Sequence, residues 1–324
     1  TTSQMTMLTS DQLRSLGSDQ LNAIESRDLQ VLTSTQLQAL TTDQLAALST
    51  DQVSLLTTGQ MRALATAQVA SLSTDQIQNL TTSQVATLTS DQLRALSSDQ
   101  VNALESRDLQ VLSSAQIASL TTAQLANLST DQVQNLTTSQ FATLSTAQLA
   151  ALTQEQLGAV ESRDLQALTS TQLQGLSTYQ LAALTTDQLP LLTSAQVRSL
   201  TSVQIASLSA EQVQTLTTAQ VATLTSDQMR ALTSDQLNAL ESRDLQALTS
   251  SQVRSLKSEQ IGALSVEQIP LLTTGQVAAL SSDQVRALSA DAIIAFTSAQ
   301  IQSLTTGQVA SLTTAQLNAL ELED

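Results

Sequence analysis

Cysteine, histidine and tryptophan are absent from the 324 residues, and only three aromatic side chains occur, Phe141, Tyr179 and Phe296. No disulfide framework, thiol nucleophile, imidazole base or Cys/His zinc site is therefore available. A core anchored on large aromatic rings is excluded as well. Basic residues are scarce: 12 against 28 acidic ones, a formal net charge of -16. Such a surface repels phosphate backbones and anionic lipid, which points away from nucleic acid and from membrane surfaces. No apolar run approaches the roughly 20 residues of a membrane span. The opening "TTSQMTML" has neither a basic stretch nor an apolar one, so a soluble chain is expected, with any export signal outside it. A cysteine-free, aromatic-poor chain rich in Thr, Ser and Gln suits an exported bacterial structural protein.

What is present is a repeat. From Thr1 the chain divides into forty consecutive octads with no insertion or deletion, followed by the partial unit ELED at 321–324. Position 5 is always Leu, Val, Ile, Met or Phe, and position 8 is Leu except at Ile24, Val160 and Phe296. Position 4 is Gln in 35 of the octads, the exceptions being four Asp residues and Ala292. No linker interrupts this array, and residues 1–324 read as one continuous domain.

Eight residues at about 100° each rotate an apolar stripe by about 80° per octad, so one long helix cannot keep that stripe on a partner. A strand fails because apolar spacings of three and five break the period of two. The remaining solution is a separate short helix in each octad. Thr or Ser at position 1 with Gln at position 4 forms a capping box, and the apolar residues at position 8 and the following position 5 form a hydrophobic staple. Helices this short are unstable alone and must pack on their neighbours. The fold class expected is all-α: a solenoid of very short capped helices, one per octad. Pro190 and Pro270 at position 6 require those two octads to end early or become irregular.

Charge placement agrees with these helix starts. Seventeen acids occupy position 3, and seven of the twelve basic residues are Arg at position 6. Acids near a helix start and bases near its end are what the macrodipole favours. Four octads stand apart: "ESRDLQVL" at Glu25 and Glu105, and "ESRDLQAL" at Glu161 and Glu241. Their spacing indicates duplication of a ten-octad block, with one block shortened to seven. Their candidate site residues are Glu25, Arg27, Asp28, Glu105, Arg107, Asp108, Glu161, Arg163, Asp164, Glu241, Arg243 and Asp244, expected to form ion pairs between turns or between molecules. A catalytic carboxylate pair needs two acids across a cleft, and no feature of the sequence supplies one; the reading is not an enzyme. No cofactor is implied. A calcium ladder along position-3 acids such as Asp11, Asp43, Asp51, Asp91 and Asp227 is the alternative use of those side chains, although the glycine-rich calcium nonapeptide and EF-hand spacings are absent. Capping likewise explains the Thr and Ser rows more simply than ice binding does.

The unit Thr-[Thr/Ser]-x-Gln-[Leu/Val/Ile]-x-x-Leu, as in "TTAQLANL" and "TTGQVASL", resembles octapeptide arrays of very long secreted or surface-exposed bacterial proteins of adhesin-like or filament-like kind. The resemblance implies an extracellular or cell-surface structural role and carries over no site residues. The first expectation is a segment of a fibre, stalk or filament that stacks end to end, its partner being itself through head-to-tail contacts, with both ends reading as uncapped. The second is a binding module that presents a groove or charged rim to a protein or glycan, for which the three aromatics and "SADAIIAF" at Ser289 are the non-consensus candidates.

Overall fold

The computed structural model describes residues 2–321. Every octad forms one helix: 38 are α-helices, most of five or six residues, and two are 3-10 turns, with no strand among the described residues. The helix starts at position 2. Its N-cap at position 1 is extended, as at Thr121 (φ -73°, ψ 159°), and the box closes both ways: the Gln124 amide donates to Thr121 Oγ1 at 3.2 Å, and the Thr121 amide donates to Gln124 Oε1 at 2.8 Å. Of the seven octads without a hydroxyl at position 1, the three at Gly17, Ala65 and Lys257 keep the glutamine half of the box. At Ala65 and Lys257 the position-4 amide turns instead to the N-cap carbonyl, at 3.0 Å in both.

The six-residue helices stop because position 8 returns to extended geometry, as at Leu88 (φ -59°, ψ 134°). No described residue has a positive φ, so the stop needs no glycine. The two proline octads are the two 3-10 turns, Leu189–Leu191 and Ile269–Leu271. Proline at the second position of these turns removes the donor that an α-turn would use. Both octads still close the box, from Thr185 to Gln188 and from Ser265 to Gln268.

The chain forms two compact units, Thr1–Leu168 and Thr169–Asp324. Within each, the octads wind as an all-α solenoid. Helices pack on those three octads away, as Ser194–Ser199 does on Thr218–Thr223. Hydrogen bonds from position 4 reach four octads back, as from Gln44 to Leu13 and Leu16. A turn of the solenoid therefore holds between three and four octads. The core is the row of position-5 and position-8 side chains; Leu93, Val101 and Leu109 are fully buried. Each such side chain contributes roughly 1.5–3 kcal/mol relative to exposure.

Candidate functional site

The position-4 glutamine is the most constrained side chain of the unit. Gln124 is 2% exposed, and its Oε1 is used by the N-cap amide. Its Nε2 donates to the carbonyls of Leu93 at 2.8 Å and Leu96 at 2.7 Å, the position-5 and position-8 residues four octads back. The position-8 carbonyl needs this donor because its residue has left the helix and has no acceptor role within it. The same pair recurs at Gln60, Gln68, Gln84, Gln204 and Gln276. One side chain thus caps its own helix and fastens it to the preceding turn.

The ESRD octads depart from this arrangement. Glutamate at position 1 makes no side-chain cap. Its carboxylate instead meets the arginine two residues on: Arg27–Glu25 and Arg107–Glu105 at 2.7 Å, Arg163–Glu161 at 2.9 Å, Arg243–Glu241 at 3.1 Å. These ion pairs close inside one octad, because the two residues flank a single helix start; they do not bridge turns. The arginines are about two-thirds exposed or more, and pairs of that kind are typically worth under about 1 kcal/mol. The bond between turns comes from the aspartate. Asp28, Asp108, Asp164 and Asp244 each accept from a threonine hydroxyl three octads back, from Thr2 at 3.0 Å, Thr82 at 2.7 Å, Thr138 at 2.6 Å and Thr218 at 2.5 Å. Arg163 and Arg243 also approach their neighbouring aspartates, both at 3.7 Å. The threonines were not singled out from the sequence, although the octad three before each ESRD unit opens with Thr-Thr in all four cases.

Shallow polar grooves run between turns. One of about 590 Å³ is walled by Glu241, Arg243 and Glu267 with the amides of Gln214 and Asn238. Another, of about 230 Å³, carries Glu161, Arg163, Gln134 and Asn135. A comparable groove at Arg198, Thr225 and Gln252 has no ESRD residue in it, so grooves belong to the array and not to the charged octads. Among the described residues no group of three acidic side chains is placed to hold a metal ion. Position-3 acids lie outward: Asp11 and Asp227 pair only loosely with Arg14 and Arg230, at 3.5 and 3.8 Å. At the same position the Glu155 and Glu267 carboxyls are held below their ordinary range by their own backbone amides, then by the Thr153 and Ser265 hydroxyls. Those bonds form at exposed helix starts and favour the ionised carboxylate.

The non-consensus residues divide. Phe141 and Phe296 are core side chains, 1% and 7% exposed. Tyr179 and Val203 are both position-3 residues, 78% and 69% exposed, on the packed helices Thr178–Ala182 and Ser202–Ala206. Among the described residues no helix is long and apolar enough to cross a membrane.

A family model described as the ALTTAQ repeat matches the chain seven times, at residues 21–58, 56–90, 78–106, 101–138, 157–194, 213–241 and 237–274. Together these matches cover more than half of the chain. No curated protein matches it.

Proposed function

The chain belongs to the ALTTAQ repeat family, and from that premise we propose that it is a structural protein, a segment of an extracellular bacterial fibre, stalk or filament that stacks end to end. The observation that carries this reading is the glutamine fastening, since the position-4 Nε2 reaches the position-8 carbonyl four octads back in turn after turn, with a second bond to position 5, as from Gln124, or to position 6, as from Gln132. In octads with no described octad four units back, Gln12 and Gln20 are exposed, and their side-chain oxygens accept from the amides of Thr9 and Gly17 at 2.8 and 2.9 Å. Wherever an array of this kind stops, one face offers amide donors and the opposite face offers carbonyls. Complementary faces on opposite ends make a heterologous contact, which propagates. Electron microscopy of the purified chain over a concentration range, at low and high salt, tests this: filaments with a regular axial repeat are expected. Separate particles of one chain at every concentration would refute self-assembly. Surface labelling of intact source cells tests the extracellular location.

A second reading, a binding module for a protein or glycan, draws on Tyr179 and Val203, both exposed and carried on helices that pack together. Replacing Tyr179 by Ser would then abolish partner capture while leaving filaments intact.

A further inference from the structure

At an ordinary joint between turns, glutamine gives two amide hydrogens to the position-5 and position-8 carbonyls four octads back. At three joints Asp108, Asp164 and Asp244 stand in its place, 1 to 2% exposed. An ionised carboxylate has no hydrogen to give, and each of these three is turned to a threonine hydroxyl. The position-8 carbonyls they leave unserved belong to Leu80, Leu136 and Leu216, residues 4%, 1% and 1% exposed, and no described donor reaches them. Where a glutamine stands four octads on within the same unit, it donates to that carbonyl, as Gln124 does to Leu96 and Gln252 to Leu224, except that Gln268, in a proline octad, bonds to Leu237 and Asn238 and not to Leu240; at Leu264 the glutamine is replaced by Ala292. The ESRD octad has also given up its capping box, and its position-4 amide falls back on the N-cap carbonyl, as from Asp108 to Glu105 at 2.8 Å. Both sides of the joint are weakened together.

We propose that the ESRD octads are built-in opening points, at which a turn separates from the one before it sooner than at any glutamine joint. Under load or in denaturant the array yields there first, so that it opens in blocks and the intervening turns stay closed. The device is independent of whether the chain assembles into filaments.

Native-state hydrogen exchange on the whole chain tests it. The amides of Ile77 and Leu109, which flank the Asp108 joint, are expected to exchange on the order of ten- to a hundredfold faster than those of Leu93 and Leu125, which flank the Gln124 joint, as loss of two hydrogen bonds implies. Asp108→Gln supplies the missing donors and is expected to bring the four rates together; Ala292→Gln is expected to slow Ile293 in the same way. Thr82→Val removes the one bond between turns that Asp108 retains, and is expected to speed Ile77 and Leu109 while leaving Leu125 unchanged. Equal rates at the two joints in the unaltered chain, or an Asp108→Gln chain that folds with its rates unchanged, overturns the proposal.

Discussion

Replacing Gln124 by Glu changes one nitrogen for oxygen and leaves the shape alone, which makes it the sharpest probe of the fastening. The N-cap amide of Thr121 keeps an acceptor. The carbonyls of Leu93 and Leu96, now served at 2.8 and 2.7 Å, would face a carboxylate oxygen in a site 2% exposed. Two bonds of about 1 kcal/mol each are lost, and two buried carbonyls are left unpaired beside a charge, so the penalty near neutral pH should be about 3 to 5 kcal/mol. The site penalises the ionised form, so the carboxyl of the variant titrates higher in the folded chain than its unfolded value of about 4.3. By linkage the penalty begins near that unfolded value, grows as pH rises, and is complete above the folded one. Below it, the protonated carboxyl donates to one of the two carbonyls and part of the loss is restored. Urea unfolding of the variant and the unaltered chain, followed by far-ultraviolet circular dichroism at matched pH values, gives the difference directly. A variant as stable as the parent at neutral pH, or a difference independent of pH, would refute the reasoning.

Other sites give independent checks. A Cβ on Gly262 would sit 2.5 Å from the backbone oxygen of Ala287, so Gly262→Ala should lower the thermal midpoint by an amount equivalent to about 1–3 kcal/mol. Gly307 has open space at the same test, and Gly307→Ala should raise stability by up to about 1 kcal/mol, since alanine is the better helix former. Removing a single cap with Thr121→Ala should cost about 1 kcal/mol, less than Gln124→Glu because the glutamine half of the box survives, as it does at Ala65. Carboxyl NMR titration should find Glu155 and Glu267 below the ordinary value of 4.5. Their ionised forms are favoured in the folded chain, so the stability they add is present above the unfolded value and lost as pH falls through the lower folded one. Thr153→Ala should raise Glu155 and leave Glu267 in place.

Helix starts were legible because capping is local: the hydroxyl at position 1 and the glutamine at position 4 sit three residues apart, and the sequence frame coincides with the helix frame. The two prolines were legible for the same reason, since each acts on its own turn. The turn-to-turn bonds were not, because their partners lie 25 to 31 residues away and an octad pattern alone does not fix how many octads make a turn. Position-6 arginines show the difference. Their placement near helix ends follows from local electrostatics, yet Arg14, Arg94 and Arg230 also donate to the position-7 carbonyls of Ala39, Ser119 and Ser255 on the next turn, at 3.1 to 3.3 Å. In the charged octads the acid–base composition suggested ion pairs across turns. The geometry gives that link to Thr–Asp bonds and keeps the ion pairs local, because glutamate at an N-cap has its nearest cation two residues away.

The absence of any insertion across forty octads follows from the same geometry. A joint spans the octads between a glutamine and the carbonyls four units earlier, so a point between two octads lies inside four joints. At the boundary of Leu64 and Ala65 these are Gln68 with Leu37 and Leu40, Gln76 with Leu45 and Leu48, Gln84 with Val53 and Leu56, and Gln92 with Met61 and Leu64. One extra residue shifts the register of all four glutamines at once, and at about 1 kcal/mol per bond the loss approaches several kcal/mol. A whole extra octad leaves every glutamine with a pair of carbonyls four units back. A chain carrying one octad such as "TTAQLANL" between Leu64 and Ala65 should therefore unfold within a few degrees of the parent, and a chain carrying a single glycine there should unfold well below it. Similar unfolding of the two would mean that the boundary loop absorbs the extra residue, and that the glutamine joints do not set the period.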